Sequence, residues 1–239
     1  MQFALAPRSD IAALAQRFAS QGFVSIDGLL PDEQAEALAA SLRGDQGWAE
    51  VLNAGQKVYE IALDDYRGFD AGTRKTFEEA VARSAREGFQ FHFRTIRVPD
   101  DDAARRERDL LVDRFARFLN SAAVLDMLKA VTGCDHVNLL DAQATLFAAG
   151  HFLSSHDDDV AGKNRHAAYV FGLSRGWQPD WGGLLLFPEG HDLHGFLPAF
   201  NSMRLFAVPR QHCVTQVASW VQEERLSITG WLRTLGQRL

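Results

Sequence analysis

The chain has 239 residues, 46% of them hydrophobic, and a formal net charge of −6. That length supports one substantial core, and the acidity argues against a nucleic-acid backbone or an anionic membrane as a partner. No apolar run reaches the ~20 residues that span a bilayer, no secretory signal is evident at Met1 to Arg8, and Cys134 and Cys213 are too few for a disulfide framework, so a cytoplasmic location is expected.

The first half alternates helical and extended patterns. Asp10 to Ala19 reads as a short helix capped by Asp10 or Ser9, and Gly22 to Asp27 alternates like a strand. Pro31 to Leu42 is helical, with Pro in the first turn, Asp32 and Glu33 near the positive N-terminal end, and Gly44 past the last turn. Lys57 to Leu63 predicts a strand, and Thr73 to Arg86 an amphipathic helix closed by Gly88. Gln90 to Val98 alternates clearly, with Phe91, Phe93 and Thr95 on one side and Gln90, His92 and Arg94 on the other. The second set reads as solvent-facing, with a lining of the substrate side as the other reading. Asp109 to Asn120 and Ala122 to Val131 follow as helices, the second ended by Gly133, and Arg105 to Asp109 reads as a mixed-charge helix face.

From His136 onward the pattern changes to short strands separated by Gly, Pro and Asp clusters, which indicates a β-barrel or sandwich. The expectation is one α+β domain over 1–239. Helices and strands of about 1–133 support a double-stranded β-helix (jelly-roll) core of about 134–239.

Three elements of that core carry chemistry. His156-Asp157-Asp158 is followed by His212, and then by Arg225-Leu226-Ser227. Two histidines and one carboxylate are the donor set of a facial-triad non-haem Fe(II) site, with three coordination positions left open. Positions i and i+2 of an extended segment share a side, so His156 and Asp158 are expected to grip one metal from one strand end. His-x-Asp alone is equally a solvated acidic turn. The strand Arg225 to Leu232 adds to it: Leu226, Ile228 and Leu232 suit an apolar layer, while Arg225, Ser227, Thr229 and Trp231 form a polar face that needs partners if buried. A bound carboxylate would be such a partner for Arg225 and Ser227; an edge strand facing water is the other reading.

From Ala144 to Leu232 the chain resembles the prolyl-hydroxylase branch of the 2-oxoglutarate- and Fe(II)-dependent dioxygenases, most of all the ribosomal-protein prolyl hydroxylase group. The resemblance lies in His156-Asp157-Asp158, Trp181 to Phe187, Pro198 to Asn201 with Leu205-Phe206, His212-Cys213-Val214 and Arg225 to Trp231, in that order. It implies that His156, Asp158 and His212 bind Fe(II). It also implies that Arg225, assisted by Ser227, holds the far carboxylate of 2-oxoglutarate, with O2 as the other co-substrate and ascorbate as an accessory. Tyr169, or Phe171 one pleat along, lies where such enzymes often place an aromatic group on that carboxylate; Tyr169 as an ordinary core aromatic is the other reading. A tyrosine that these enzymes often carry nine or ten residues before the first metal histidine is replaced here by Leu146-Phe147. The second barrel domain of the ribosomal enzymes has no counterpart.

The implied activity is hydroxylation of an unactivated C–H bond, with release of succinate and CO2. The expected substrate is a prolyl residue of a peptide or protein, or proline or a related small molecule. A zinc hydrolase on the same ligands and a non-catalytic metabolite-binding jelly roll are the alternatives. Other candidates carry less. His191 to His194 reads as a loop, His151 as structural, His166 as a minor contact near the site, and Trp177, Trp181, Trp220 and Trp231 as packing residues.

Overall fold

The computed structural model describes residues 1–44, 47–54 and 57–236. Its elements run α1 (Ile11–Gln21), β1 (Phe23–Asp27), α2 (Asp32–Gly44), β2 (Ala49–Ala54), β3 (Lys57–Ala62), α3 (Leu63–Gly68), α4 (Ala71–Ser84), β4 (Phe91–Arg97), α5 (Asp102–Arg108), α6 (Leu111–Leu119) and α7 (Ala122–Thr132). Nine strands follow: β5 (Leu139–Leu140), β6 (Gln143–Phe147), β7 (Phe152–His156), β8 (Arg165–Gly172), β9 (Leu185–Glu189), β10 (Asp192–Phe196), β11 (Ser202–Ala207), β12 (His212–Val214) and β13 (Arg225–Arg233).

The expected cap of α1 is not formed, since the Asp10 carboxylate accepts from Arg8 and from no helix N–H, whereas Gly133 closes α7 as its position indicates. Gly22 and Gly133 end α1 and α7 in the left-handed region, at φ 71° each, which a residue with a Cβ adopts only with strain. Asp70 and Asp101 cap α4 and α5 by accepting the backbone N–H groups of Thr73 and Ala104. Asp109, expected both on the charged helix face and at the start of the next helix, lies between two helices. Asp109 takes φ 50°, which ends α5 before α6 begins.

Among the described residues all thirteen strands join one antiparallel sheet in the order β1-β11-β8-β13-β6-β4-β7-β12-β9-β10, with β2, β3 and β5 as side branches. It curls into a jelly-roll half-barrel. The two ends meet through side chains: Phe23 of β1 stacks at 5.3 Å on Phe187 of β9 and meets Phe196 of β10 edge-on at 5.5 Å. Strands β1 to β4 come from the first half of the chain, so the supporting half and the core share one sheet. Two segments differ from expectation. Asp192–Phe196 pairs with β9 as an exposed hairpin strand and not as a loop, and β2 has no counterpart in the sequence reading.

Alternation along the strands divides the interior. Tyr169 and Phe171 of β8, Leu226 and Ile228 of β13 and Ala144 and Leu146 of β6 pack with Phe115, Leu119 and Leu128 of the helices. The opposite face of the sheet carries Phe147, Ala168 and Phe206 into smaller apolar clusters inside the roll. This inner face also presents Arg225, Thr145 and the metal-type ligands to a cavity of about 520 Å³.

Candidate active site

His156 and His212 are direct cross-strand partners on β7 and β12, with ring centroids 4.1 Å apart. The strand β7 ends at His156. Asp158 lies beyond it with φ 64°, in the left-handed region, so a turn, and not a shared pleat, brings its carboxylate beside His156. That conformation is strained for a non-glycine residue and is held by its surroundings. Asp158 Oδ1 stands 3.4 Å from His156 Nε2, and Oδ2 stands 3.4 Å from His212 Nε2.

The histidines are oriented from behind. His156 Nδ1 lies 2.9 Å from the Ser154 carbonyl and His212 Nδ1 lies 2.8 Å from the Arg210 carbonyl. An Nδ1–H donated to each carbonyl leaves both Nε2 lone pairs turned toward Asp158, the tautomer a metal ligand needs. Burial lowers the pKa of His212, and the neighbouring His156 lowers it further, which favours the neutral imidazole. Burial raises the Asp158 pKa, but the two histidines outweigh it and hold the carboxyl ionised.

A second cluster, Glu50, His92 and His151, has the same donor types. It differs in spacing. His92 Nε2 and His151 Nε2 stand 2.7 Å and 2.9 Å from the same Glu50 Oε1, and Arg94 Nε donates to Oε2 at 2.9 Å. Those are hydrogen bonds. Ligands bound to one cation at about 2.1 Å lie roughly 3 Å or more from one another, as the triad atoms do. Glu50 is thus a fully buried anion satisfied by donors; His92 and Arg94 are its partners instead of solvent-facing groups, and His151 is a buried structural partner.

Arg225 is buried, and among the described residues no carboxylate pairs with it. Its Nε has no hydrogen-bond partner, and burial pushes its pKa down to about 10. Directly opposite on β6, the Phe147 ring lies 5.0 Å from the guanidinium carbon. Two pairs further on, on the same face, the Ser227 and Thr145 hydroxyls are 2.8 Å apart. A buried cation facing an aromatic ring and a hydroxyl pair requires an anion to complete it. These residues fit an iron ion and a dicarboxylate.

Tyr169 takes the core reading of the two open to it, and not the carboxylate-binding one. Its ring lies in the helix-facing core, and its hydroxyl donates to the Asp141 carbonyl at 2.8 Å. Phe171, on the same face, stacks against Phe115 at 5.1 Å. Neither offers a group to the Arg225 side of β8.

The structure adds residues that the sequence did not single out. Arg165 donates to the Asp158 carbonyl at 3.0 Å, and its guanidinium carbon lies 3.6 Å from the centre of the Trp231 ring. Trp231 therefore lines the cavity and is more than a packing residue. Arg165 Nε and Trp231 Nε1 close no hydrogen bond, although Trp231 lies near enough to Asp158 to favour its ionised form. Thr145 and Phe147 also line the cavity. His166 is bound to Thr234 Oγ1 at 2.9 Å, away from the triad. The alternating signal of β6 marks Thr145 and Phe147 as a pair; nothing local marks Arg165.

Among the described residues no helix is long and apolar enough to cross a membrane. No curated protein sequence matches the chain. Among solved structures, a prolyl-4-hydroxylase of Pseudomonas putida is similar over 95% of this chain and 100% of its own, with a TM-score of 0.59 and 20% identity. A 2OG-Fe(II) oxygenase family oxidoreductase of Burkholderia pseudomallei covers 97% of this chain and 93% of its own (TM-score 0.57, 15% identity). A prolyl hydroxylase of Trichoplax adhaerens, in complex with a hypoxia inducible factor oxygen degradation domain peptide, covers 92% of this chain and 87% of its own (TM-score 0.58, 14% identity). At these identities the likeness establishes the fold. Residues 142–233 match the family model of the 2OG-Fe(II) oxygenase superfamily, and that segment holds all three triad residues and Arg225. The match is to these residues alone, and the cofactors that this family implies are Fe(II), 2-oxoglutarate and O2.

Proposed function

We propose that the protein hydroxylates an unactivated C–H bond of a prolyl residue in a peptide or protein, coupled to conversion of 2-oxoglutarate to succinate and CO2. The observation that carries this reading is the sharing of one cavity by the His156/Asp158/His212 triad and an unpaired, buried Arg225. The likeness to two prolyl hydroxylases, one of them bound to a peptide, supports the substrate class.

In this proposal His156, Asp158 and His212 hold Fe(II), and Arg225 receives the far carboxylate of 2-oxoglutarate as a charge-assisted pair. Ser227 and Thr145 supply hydroxyls beside it. Phe147 and the apolar lining close that end of the cavity to water, which strengthens the pair. Bound iron and 2-oxoglutarate supply, with O2, the oxidising power for C–H hydroxylation. The protein's share is orientation: carbonyl-locked imidazoles, a carboxylate fixed by the turn at Asp158, and a diacid anchor on a central strand.

The test is succinate formation under Fe(II), ascorbate and 2-oxoglutarate, against a panel of prolyl peptides, free proline and other amino acids. Peptide-dependent succinate with a mass gain of one oxygen on proline is expected. Substrate-stimulated turnover confined to free amino acids would overturn the peptide assignment.

A further inference from the structure

The outer wall of the cavity is apolar to a degree that the triad and the diacid anchor do not require. Phe91 and Phe93 lie on one side of β4, and Phe89 precedes the strand. Successive ring centroids stand 5.6 Å (Phe89 to Phe91), 5.7 Å (Phe91 to Phe93) and 5.6 Å (Phe93 to Phe147) apart. This ladder runs from the solvent edge to the ring beside Arg225. Phe89 also lies 5.2 Å from the His156 ring.

Three elements contribute large apolar side chains that line this cavity and remain exposed: Phe89 at 50%, Val58 of β3 at 55%, and Val160, after the triad turn, at 45%. Scattered exposed hydrophobic residues need no explanation, but a cluster at a cavity does. Among the described residues, three of the eight exposed large hydrophobics line this one cavity. Arg97, which lines the same cavity, is committed to Glu60 at 2.8 Å. A group seated on the ladder therefore meets aromatic faces and branched aliphatic carbons.

We propose that Phe89, Phe91 and Val58 form a selecting wall that takes an apolar side chain adjacent to the oxidised prolyl residue of a peptide. This rests on the hydroxylase reading above. A cavity of about 520 Å³ has the size of a drug-like ligand site, more than a five-carbon diacid and one pyrrolidine ring fill. The ladder leads the remaining space out to solvent, as a chain continuing beyond the oxidised residue requires. Aromatic and aliphatic neighbours stack on such a surface, and an anionic one loses its hydration there with Asp157 and Asp159 on the same lining.

The experiment compares matched X-Pro peptides with X as Phe, Leu, Gly, Asp or Lys, reading hydroxylated peptide and succinate separately. Phe and Leu peptides are expected to exceed Gly and Asp peptides by about tenfold or more in kcat/KM. Phe89→Ala and Val58→Asp, on separate elements and both at exposed positions, are each expected to collapse that ratio. Trp220→Ala, at an exposed residue outside the cavity, is expected to retain it. Equal rates across the series, or an undiminished Phe/Gly ratio in both wall variants, overturn the wall. Failure of every prolyl peptide while 2-oxoglutarate is still turned over without substrate overturns the prolyl reading instead, and the two failures are told apart by the separate succinate readout.

Discussion

Phe147 stands directly opposite Arg225 across the β6–β13 pair, its ring 5.0 Å from the guanidinium carbon. The ring satisfies part of the cation's field but accepts no conventional hydrogen bond, so the guanidinium is held in place and left in need of an anion. Arg225→Ala is expected to raise the 2-oxoglutarate requirement by about 10- to 150-fold, the equivalent of ~1.5–3 kcal/mol for charge-assisted hydrogen bonds. Fe(II) affinity is expected to change little. Titration of each with the other fixed separates them, and an unchanged 2-oxoglutarate dependence would remove the carboxylate role. Phe147→Tyr is expected to lower that requirement by offering a phenolic donor.

His156→Ala and His212→Ala are expected to abolish Fe(II) binding, read by anaerobic titration of the visible charge-transfer band formed with 2-oxoglutarate. Removal of metal with a chelator is expected to abolish succinate formation, and Fe(II) but not Zn(II) to restore it. Wild-type iron affinity in His212→Ala would count against the triad.

The Glu50 cluster gives the opposite expectation. Glu50→Ala leaves iron binding in place but strips a buried anion from Arg94, His92 and His151. Breaking such a buried pair costs about 3–5 kcal/mol, a fall in Tm of roughly 6–20 °C for a chain of this size. Iron stoichiometry near that of wild type, in whatever fraction stays folded, distinguishes this role from metal ligation.

The same cluster makes stability depend on pH. Burial lowers the His151 pKa below its ordinary 6.5, and hydrogen bonds from His151 and His92 overcome burial to hold Glu50 well below the ordinary 4.5. In both cases the unfolded chain binds more protons than the folded one just below the ordinary value, so stability rises with pH there. Tm is expected to fall as pH drops through about 6.5, and again below about 4.5. His151→Gln should flatten the first step relative to wild type; an identical slope would assign it elsewhere, the buried His212 included.

Asn201 is expected to matter for folding alone. At φ 53°, its side chain accepts from the Leu30 N–H and donates to the Leu30 carbonyl and to Asp32, tying β11 to the start of α2. Asn201→Ala is expected to lose about 2–3 kcal/mol at roughly 1 kcal/mol per bond, seen in denaturant unfolding, with triad chemistry retained in the folded fraction.

The legible parts of the site were those where residue type alone restricts the chemistry. Histidine, aspartate and arginine at ordered positions on alternating strands leave few roles, and the polar face of β13 turns inward as its pattern indicates. Side-chain facing on β8 was not legible. A run such as His166 to Phe171 is apolar on both faces, so parity depends on pairing with β11 and β13, which the local pattern does not contain. Tyr169 consequently reads as a site residue until the sheet is assembled. Asp158 shows a related failure: its placement comes from a left-handed turn, whereas spacing suggested a continued strand. The Glu50 cluster escaped because β2 carries no strong strand signal, and His92 and Arg94 look like a wetted face until Glu50 lies beside them.

The seam at Phe23 bears on how the chain can be cut. β1 supplies the hydrogen-bonded neighbour of β11, and its first residue roofs Phe187. A fragment beginning near residue 134 would retain every triad residue while baring the β11 edge, that ring and, with β4 removed, the edges of β6 and β7, templates for strand addition between copies. Such a fragment is expected to self-associate during expression, and co-expressing residues 1–133 in trans should relieve it only to the extent that β1 docks back onto the open border and β4 back between β6 and β7.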